Sequence, residues 1–265
     1  MFKNYWPLLF LLFVTNTLLA QDNFDQLKKE LDQTLANETV YLNHKNSAIN
    51  QFKKSLRSEK SNEVRYLLNK KLYEEYKSYQ SDSALVYAKR SLQIAYKNQN
   101  KTQISTAQLD LASILGTLGM YSQALEILNA IEPQLPSELK GELYWTKRVV
   151  YGGLTGYANG VEEKNKYNQL GNNYRDKAIV HLSKKSPQFI LATSGQLLSL
   201  KKYNQAINLL LPCIDTISKK DPNRAVIAYL ISENYRLLND KTQEKKWLAI
   251  SAISDLELLK KENIS

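Results

Sequence analysis

After an apolar amino-terminal stretch, hydrophobic residues recur at three- and four-residue spacing for the rest of the chain. Phe24, Leu27, Leu31 and Leu35 form one such stripe, and Leu42, Ile49, Phe52 and Leu56 form a second. A period near 3.6 buries one face of an α-helix, so the two stripes predict two antiparallel helices within residues 21–61. Asn37 lies between them. Its side chain suits the start of the second helix, where it can accept a backbone N–H that lacks an intrahelical partner.

From residue 62 the pattern becomes a repeat. In Tyr121-Ser-Gln-Ala-Leu-Glu-Ile-Leu128 a small residue follows an aromatic by three and precedes a leucine by four, with Leu111-Ala112 and Gly119 before and Pro136 after. Placing Ala124 at position 20 of a 34-residue frame puts Leu111, Ala112, Tyr121, Leu128 and Pro136 at positions 7, 8, 17, 24 and 32, which is a tetratricopeptide frame. The small residues matter because two antiparallel helices approach most closely there. The same frame takes Tyr203, Ala206 and Leu210, and also Ala84, Ala88 and Leu92 with a helix over 63–79 before them. Two further units are degenerate. One, around 138–182, has Gly160 in place of the alanine and a long polar second helix over 161–182. The other, around 222–260, keeps Ser232 and Tyr235 but has Glu244 at the small position. Ser186-Pro187 and Asp221-Pro222 each supply an N-cap followed by proline at the first helical position, and Asp240 with Gln243 starts the last helix. The expected fold class is all-α: an α-solenoid of stacked antiparallel helix pairs, about twelve helices and no strand. Residues 62–265 form the repeat domain of about five pairs.

Composition agrees with this reading, since six prolines and nine glycines are few for 265 residues. One cysteine and two histidines cannot complete the usual four-ligand zinc site or an intramolecular disulfide. Residues 1–20 carry one charge, Lys3, then the apolar run Pro7–Val14, then Leu18-Leu19-Ala20 before polar Gln21. This is the pattern of a secretory signal peptide with cleavage after Ala20; without cleavage, the segment would remain as a membrane anchor. No later stretch reaches the ~20 apolar residues of a spanning helix. The formal net charge is +10, or +9 without Lys3. The cations are scattered as pairs from Lys28-Lys29 to Lys260-Lys261, which suits solvated helix faces and a weak attraction to anionic surfaces rather than nucleic acid.

Leu31-Asp-Gln-Thr-Leu-Ala-Asn37, Tyr73-Glu-Glu-Tyr-Lys-Ser-Tyr-Gln-Ser-Asp-Ser-Ala-Leu-Val-Tyr-Ala-Lys-Arg-Ser-Leu92 and Leu248-Ala-Ile-Ser-Ala-Ile-Ser-Asp255 together resemble a family of tetratricopeptide proteins of the Bacteroidota known by a domain of unknown function. The resemblance spans about 24–262. It implies an exported repeat region which, in that family, precedes a membrane span and a cytoplasmic helical region that acts in transcriptional regulation. The present sequence stops at Ser265, so the expectation is either a standalone exported relative or a truncated regulator.

The residues offer no catalytic constellation. Thr193-Ser194-Gly195 lacks the glycine two before the serine that a nucleophile elbow requires. His44 and His181 stand apart, and Cys213 falls at a small packing position as a buried, inert thiol. Gly152, Gly153, Gly156 and Gly160 precede Val161-Glu162-Glu163 rather than the Gly-Lys-Ser/Thr of a phosphate loop, so they read as a loosened helix end. No cofactor, metal or catalytic residue is expected. What remains is a groove. In stacked helix pairs the first helices line a concave face, and frame positions 2, 5, 9 and 12 point into it. These positions give Tyr66, Asn69, Tyr73 and Tyr76 in the first unit, Glu142, Trp145 and Val149 in the third, and Tyr229, Glu233 and Arg236 in the fifth. Aromatic side chains with polar tips are typical of binding hot spots. The expected ligand is therefore a peptide or protein segment.

Overall fold

The computed structural model describes residues 24–219 and 221–259. The expected signal segment and Ser265 lie outside them. Among the described residues there are twelve α-helices, two short 3-10 turns and no strand. Helix α1 spans 24–36. It is followed by α2 (Glu38–Ser58), α3 (Asn62–Tyr76), α4 (Ser81–Lys97), α5 (Lys101–Thr117), α6 (Tyr121–Ile131), α7 (Lys140–Tyr157), α8 (Val161–His181), α9 (Pro187–Ser199), α10 (Tyr203–Thr216), α11 (Asn223–Leu237) and α12 (Lys241–Glu257). The break between α1 and α2 is one residue wide. Asn37 donates its N–H to the Gln33 carbonyl, and its own carbonyl accepts from Tyr41 N–H.

The chain forms two compact units. The larger comprises residues 42–202. In it α2 lays Ile49, Phe52 and Leu56 against α3 and α4, where they meet Leu72, Tyr76, Tyr87 and Ala88. Its other face carries Asn43, Asn46, Ser47, Asn50, Gln51 and Lys54. A helix with one apolar and one amide-rich face is suited to close a stack of pairs, because it seals the core on one side and meets water on the other. Further on, Leu109, Ala112, Ala124, Leu128, Leu143 and Val150 join α5, α6 and α7 in one core. The alanines that the repeat frame places at close crossings, Ala84, Ala88, Ala112 and Ala124, are all fully buried.

Among the described residues, the smaller unit contains 203–219 and 221–259 together with 24–41. Here α11 packs against α10 and α12, with Ala206, Leu210, Ile227, Ala228 and Ile231 buried. Ser251 of α12 donates its hydroxyl to the Ala225 carbonyl at 2.9 Å, a bond that fits only because both side chains are small.

Sequence and structure part over where the small residue sits in the degenerate pairs. Gly160 does not occupy the crossing; it is the residue before α8, with φ −79° and ψ 144°. The crossing moves along the 21-residue α8 to Gly171, whose position faces Tyr151 and the Arg148 carbonyl of α7. Likewise Glu244 lies at the start of α12, half-buried and paired with Lys241, and Ser251 takes the close position. The glycine-rich stretch stays helical to Tyr157, and Gly153 makes room for the Tyr121 ring, which an added methyl would strike at 2.5 Å.

One turn recurs between helices. Gln99, Gly119, Lys201 and Asn239 have φ of 53°, 75°, 58° and 60°. In each case the next residue donates its N–H five residues back, from Asn100 to Ala95, Met120 to Leu115, Lys202 to Leu197 and Asp240 to Tyr235. These are Schellman ends, in which a left-handed residue lets the chain satisfy the last carbonyls of a helix and leave it. Asn100 and Asp240 then accept from Gln103 N–H and Gln243 N–H, so one residue closes a helix and caps the next.

Among the described residues, the largest fully buried side chain is that of Lys147. Its ammonium donates to Glu132 and to Asn129 Oδ1 and lies 5.0 Å from the Tyr174 ring centre. Burial would raise the Glu132 carboxyl, but the Lys147 hydrogen bond and charge outweigh it and hold the carboxyl below its ordinary range. Two outcomes follow. Glu132→Ala leaves a buried cation unbalanced and should cost about 3 kcal/mol in urea unfolding, more than Lys147→Met, which removes the charge altogether. Because the folded state holds the Glu132 proton less tightly than the unfolded state does, wild-type stability is present above the ordinary carboxylate pKa and falls on acidification, and Glu132→Gln should flatten that slope. Separately, Lys201→Gly should raise the melting midpoint, because removing Cβ relieves a left-handed cost of about 1 kcal/mol.

Candidate partner-binding face

Helices α3, α5 and α7 present their polar positions to one another. Tyr66 of α3 donates its hydroxyl to the Gln103 carbonyl of α5 at 3.4 Å, and Lys70 Nζ reaches Asp110 Oδ2 at 2.7 Å. Gln103 Nε2 donates to Glu63 Oε1 at 2.7 Å, and Asn98 Nδ2 donates to Gln103 Oε1 at 2.9 Å. Val150 of α7 meets α5 at Gly116, where a methyl would come within 2.9 Å of Cγ2.

This network explains the first group of expected contacts differently. Tyr66, Asn69, Tyr73 and Tyr76 are all buried, none more than 5% exposed. Tyr73 is tied by a side-chain hydrogen bond to Ser113, and Tyr76 stacks on Tyr87 at 5.6 Å. Asn69 donates Nδ2 to the Arg65 carbonyl. Polar groups on the adjacent helix draw Tyr66 and Tyr73 into the interface between helices, so this stripe holds α3 to its neighbours. Burial, reinforced by the Asp110 charge, pushes the Tyr73 hydroxyl far above its ordinary pKa.

Asp110 is buried, and burial pushes its carboxyl up against the opposing pull of Lys70. Burial disfavours the Lys70 charge too, but Asp110 outweighs that and holds the ammonium above its usual value. Glu142 begins α7 and is exposed as a residue. Its carboxyl end is nonetheless crowded by protein and close to the Asp110 charge, and both push it up.

The other expected residues are accessible. Trp145 is half-buried, with the Arg148 guanidinium 5.5 Å from its ring centre. In the smaller unit Tyr229 is 47% exposed. Arg236 donates Nε to Glu233 Oε1 at 3.0 Å and Nη2 to Glu233 Oε2 at 2.8 Å, a forked pair one turn apart. Val149 is exposed as well.

The spacing rule misses a second set of residues, along α7 and α8. Tyr144 and Tyr151 both stack on Tyr174, at 6.2 and 5.5 Å, Tyr167 lies 6.4 Å from Tyr151, and His181 lies 5.4 Å from Tyr144. Lys177 lies over both Tyr144 and Tyr174. A signal was present in the sequence, because Tyr167, Tyr174 and His181 are seven apart and share one face of α8. Cys213 is half-buried rather than buried. Its thiol donates to the Leu209 carbonyl, and burial pushes it above the ordinary thiol range, which suppresses the nucleophilic thiolate. Among the described residues there is no cluster of metal-ligating side chains, and no helix is long and apolar enough to cross a membrane.

The sequence profile of the SusR N-terminal TPR domain matches residues 35–265. No curated protein sequence matches the chain. Among solved structures, a thermophilic TPR protein of Thermus thermophilus is 18% identical, with a TM-score of 0.52 over 69% of this chain and 86% of that one. The nearly identical TPR-like repeats of a Podosopora anserina putative kinesin light chain are 15% identical, with a TM-score of 0.41 over 72% of this chain and 95% of that one. The first likeness shows a shared TPR fold.

Removing Lys70 leaves Asp110 buried without its cation. Lys70→Ala should therefore lower stability by about 2 kcal/mol in urea unfolding, and adding Asp110→Ala should recover part of the loss. A carboxyl whose folded pKa is raised favours folding more as pH falls, so the Lys70→Ala deficit should shrink on acidification.

Proposed function

Since the chain belongs to the family of SusR N-terminal TPR domains, we propose that it is a non-catalytic module whose first helices hold a peptide or a segment of a protein partner, as the sensing or scaffolding part of an exported regulatory system. TPR folds are protein-interaction scaffolds, and the observation that carries the reading here is the chemistry left accessible on the first helices. Trp145 and Tyr229 combine a large apolar area with a polar tip, and Glu233 and Arg236 offer a fixed pair of opposite charges on the same helix as Tyr229. Side chains of this kind supply most of the energy of small interfaces. The buried tyrosines of α3 hold that helix to α4 and α5.

Export is supported by the basic start, the short apolar core and the small residue at position 20. The family's description as an N-terminal domain favours a second reading, in which these repeats sense a ligand for a longer transmembrane transcriptional regulator.

Tyr229→Ala combined with Arg236→Ala should abolish capture of the partner from an envelope extract while leaving the helical circular dichroism unchanged. Capture by the double variant at wild-type level would remove α11 from the binding face. Elution of everything bound at modest salt would reduce the interaction to net charge alone.

A further inference from the structure

Arg148 is an arginine with no anion. It projects from α7, half-buried, and among the described residues no carboxylate pairs with it; its guanidinium lies over the Trp145 ring, 5.5 Å from the centre. The charged group that acts on it is a second guanidinium, Arg175 of α8. Burial first, and then that like charge, lower the Arg148 pKa, so protein and neighbour alike disfavour its cation.

The fold compels this encounter. Gly171 brings α8 against the α7 backbone at Arg148 and Tyr151, and Arg175 lies one turn beyond it on the same face. Arg175 is 7% exposed and firmly held. Its Nη1 donates to Asn172 Oδ1 at 2.8 Å and to the Gly195 carbonyl of α9 at 3.3 Å, and its Nε donates to Asp176 Oδ1 at 3.0 Å. Asp176 is half-exposed and also accepts from Gln196 Nε2 at 3.1 Å. Asp176 is thus engaged by Arg175 and Gln196, and among the described residues no carboxylate balances the Arg148 guanidinium. Arginine presents a planar fork of donors that matches a carboxylate in a bidentate fashion, and partial burial strengthens such a pair.

We propose that Arg148, backed by Arg175 and flanked by Trp145, receives a carboxylate of the bound peptide, which makes the partner segment acidic at the point where it crosses α7. This rests on the peptide-binding reading above and adds the chemistry of the ligand. A cation on an aromatic ring is a resting position: an arriving carboxylate draws the fork off Trp145, and the exposed ring face then packs against the peptide.

The test uses the full chain with fluorescein-labelled hexaglutamate and hexalysine, read by anisotropy at low and at physiological ionic strength, with intrinsic tryptophan fluorescence recorded in parallel. Hexaglutamate should bind and hexalysine should not. Arg148→Gln should weaken hexaglutamate about tenfold, and Arg148→Lys, which keeps the charge and loses the fork, should fall between. Lys164→Gln, which removes an exposed cation elsewhere on the larger unit, should change nothing. Hexaglutamate should alter the tryptophan signal of wild type but not of Trp145→Phe, and unchanged circular dichroism confirms that each variant is folded. The proposal fails if hexaglutamate does not bind, if Arg148→Gln binds it as wild type does, or if Lys164→Gln loses as much. It fails equally if inorganic phosphate moves the Trp145 signal and hexaglutamate does not, which would make the site one for phosphate. A natural partner captured equally by wild type and Arg148→Gln would sink the carboxylate receptor and leave the peptide-binding reading standing.

Discussion

Close approach between paired helices is the constraint on which the rest of the structure depends. Two helices can share a core of leucines and tyrosines only if something small occupies the point where their axes come nearest, because a branched side chain there would separate the backbones and open voids on both sides. Ala84, Ala88, Ala112, Ala124, Ala206 and Ala228 occupy such points and are fully buried. Once the backbones are near, large residues above and below the crossing interdigitate at interior density, and a single methylene is felt. The buried polar network along α3 and α5 is a consequence as well. Lys70 and Asp110 meet at 2.7 Å because the helices that carry them are held at a fixed separation.

The regular pairs were legible for this reason. A small residue flanked by an aromatic and a leucine at fixed offsets is both a sequence pattern and a packing rule, so Ala124 and Ala206 could be placed without coordinates. The degenerate pairs were not, because their small residue does not sit where the frame counts it. In α8 and α12 the crossing moves to Gly171 and Ser251, and counting from the start of the pair lands on Gly160 and Glu244 instead. The polar composition of α8 concealed its packing too. Stacked tyrosines at seven-residue spacing bury ring faces while keeping their hydroxyls near water, so a hydropathy pattern undervalues them.

The accessible face of the first helices was legible in part. Position counting selects the residues of a first helix that point away from its own partner helix, and Trp145, Tyr229, Glu233 and Arg236 are accessible. It does not register what the adjacent first helix offers. Gln103 and Ser113 of α5 bond to the hydroxyls of Tyr66 and Tyr73, and the tyrosines turn inward. Charge balance lies further still beyond a one-dimensional reading. That Lys147 has a carboxylate and Arg148 does not depends on Glu132 and Arg175, residues far apart in the chain.

The recurring turn has a bearing on how the molecule acquires its structure. Each reversal at Gln99, Gly119, Lys201 and Asn239 is closed by bonds spanning only three to five residues, and Asn100 and Asp240 start the following helix from the same spot. The instruction to reverse is thus contained in about half a dozen consecutive residues and needs no distant contact to take effect. Chains whose contacts are local in sequence lose little entropy in reaching their transition state and fold rapidly. A helix pair closed in this way is also a self-sufficient module for evolution: one can be lengthened, as α8 has been, while the neighbouring reversals keep their geometry.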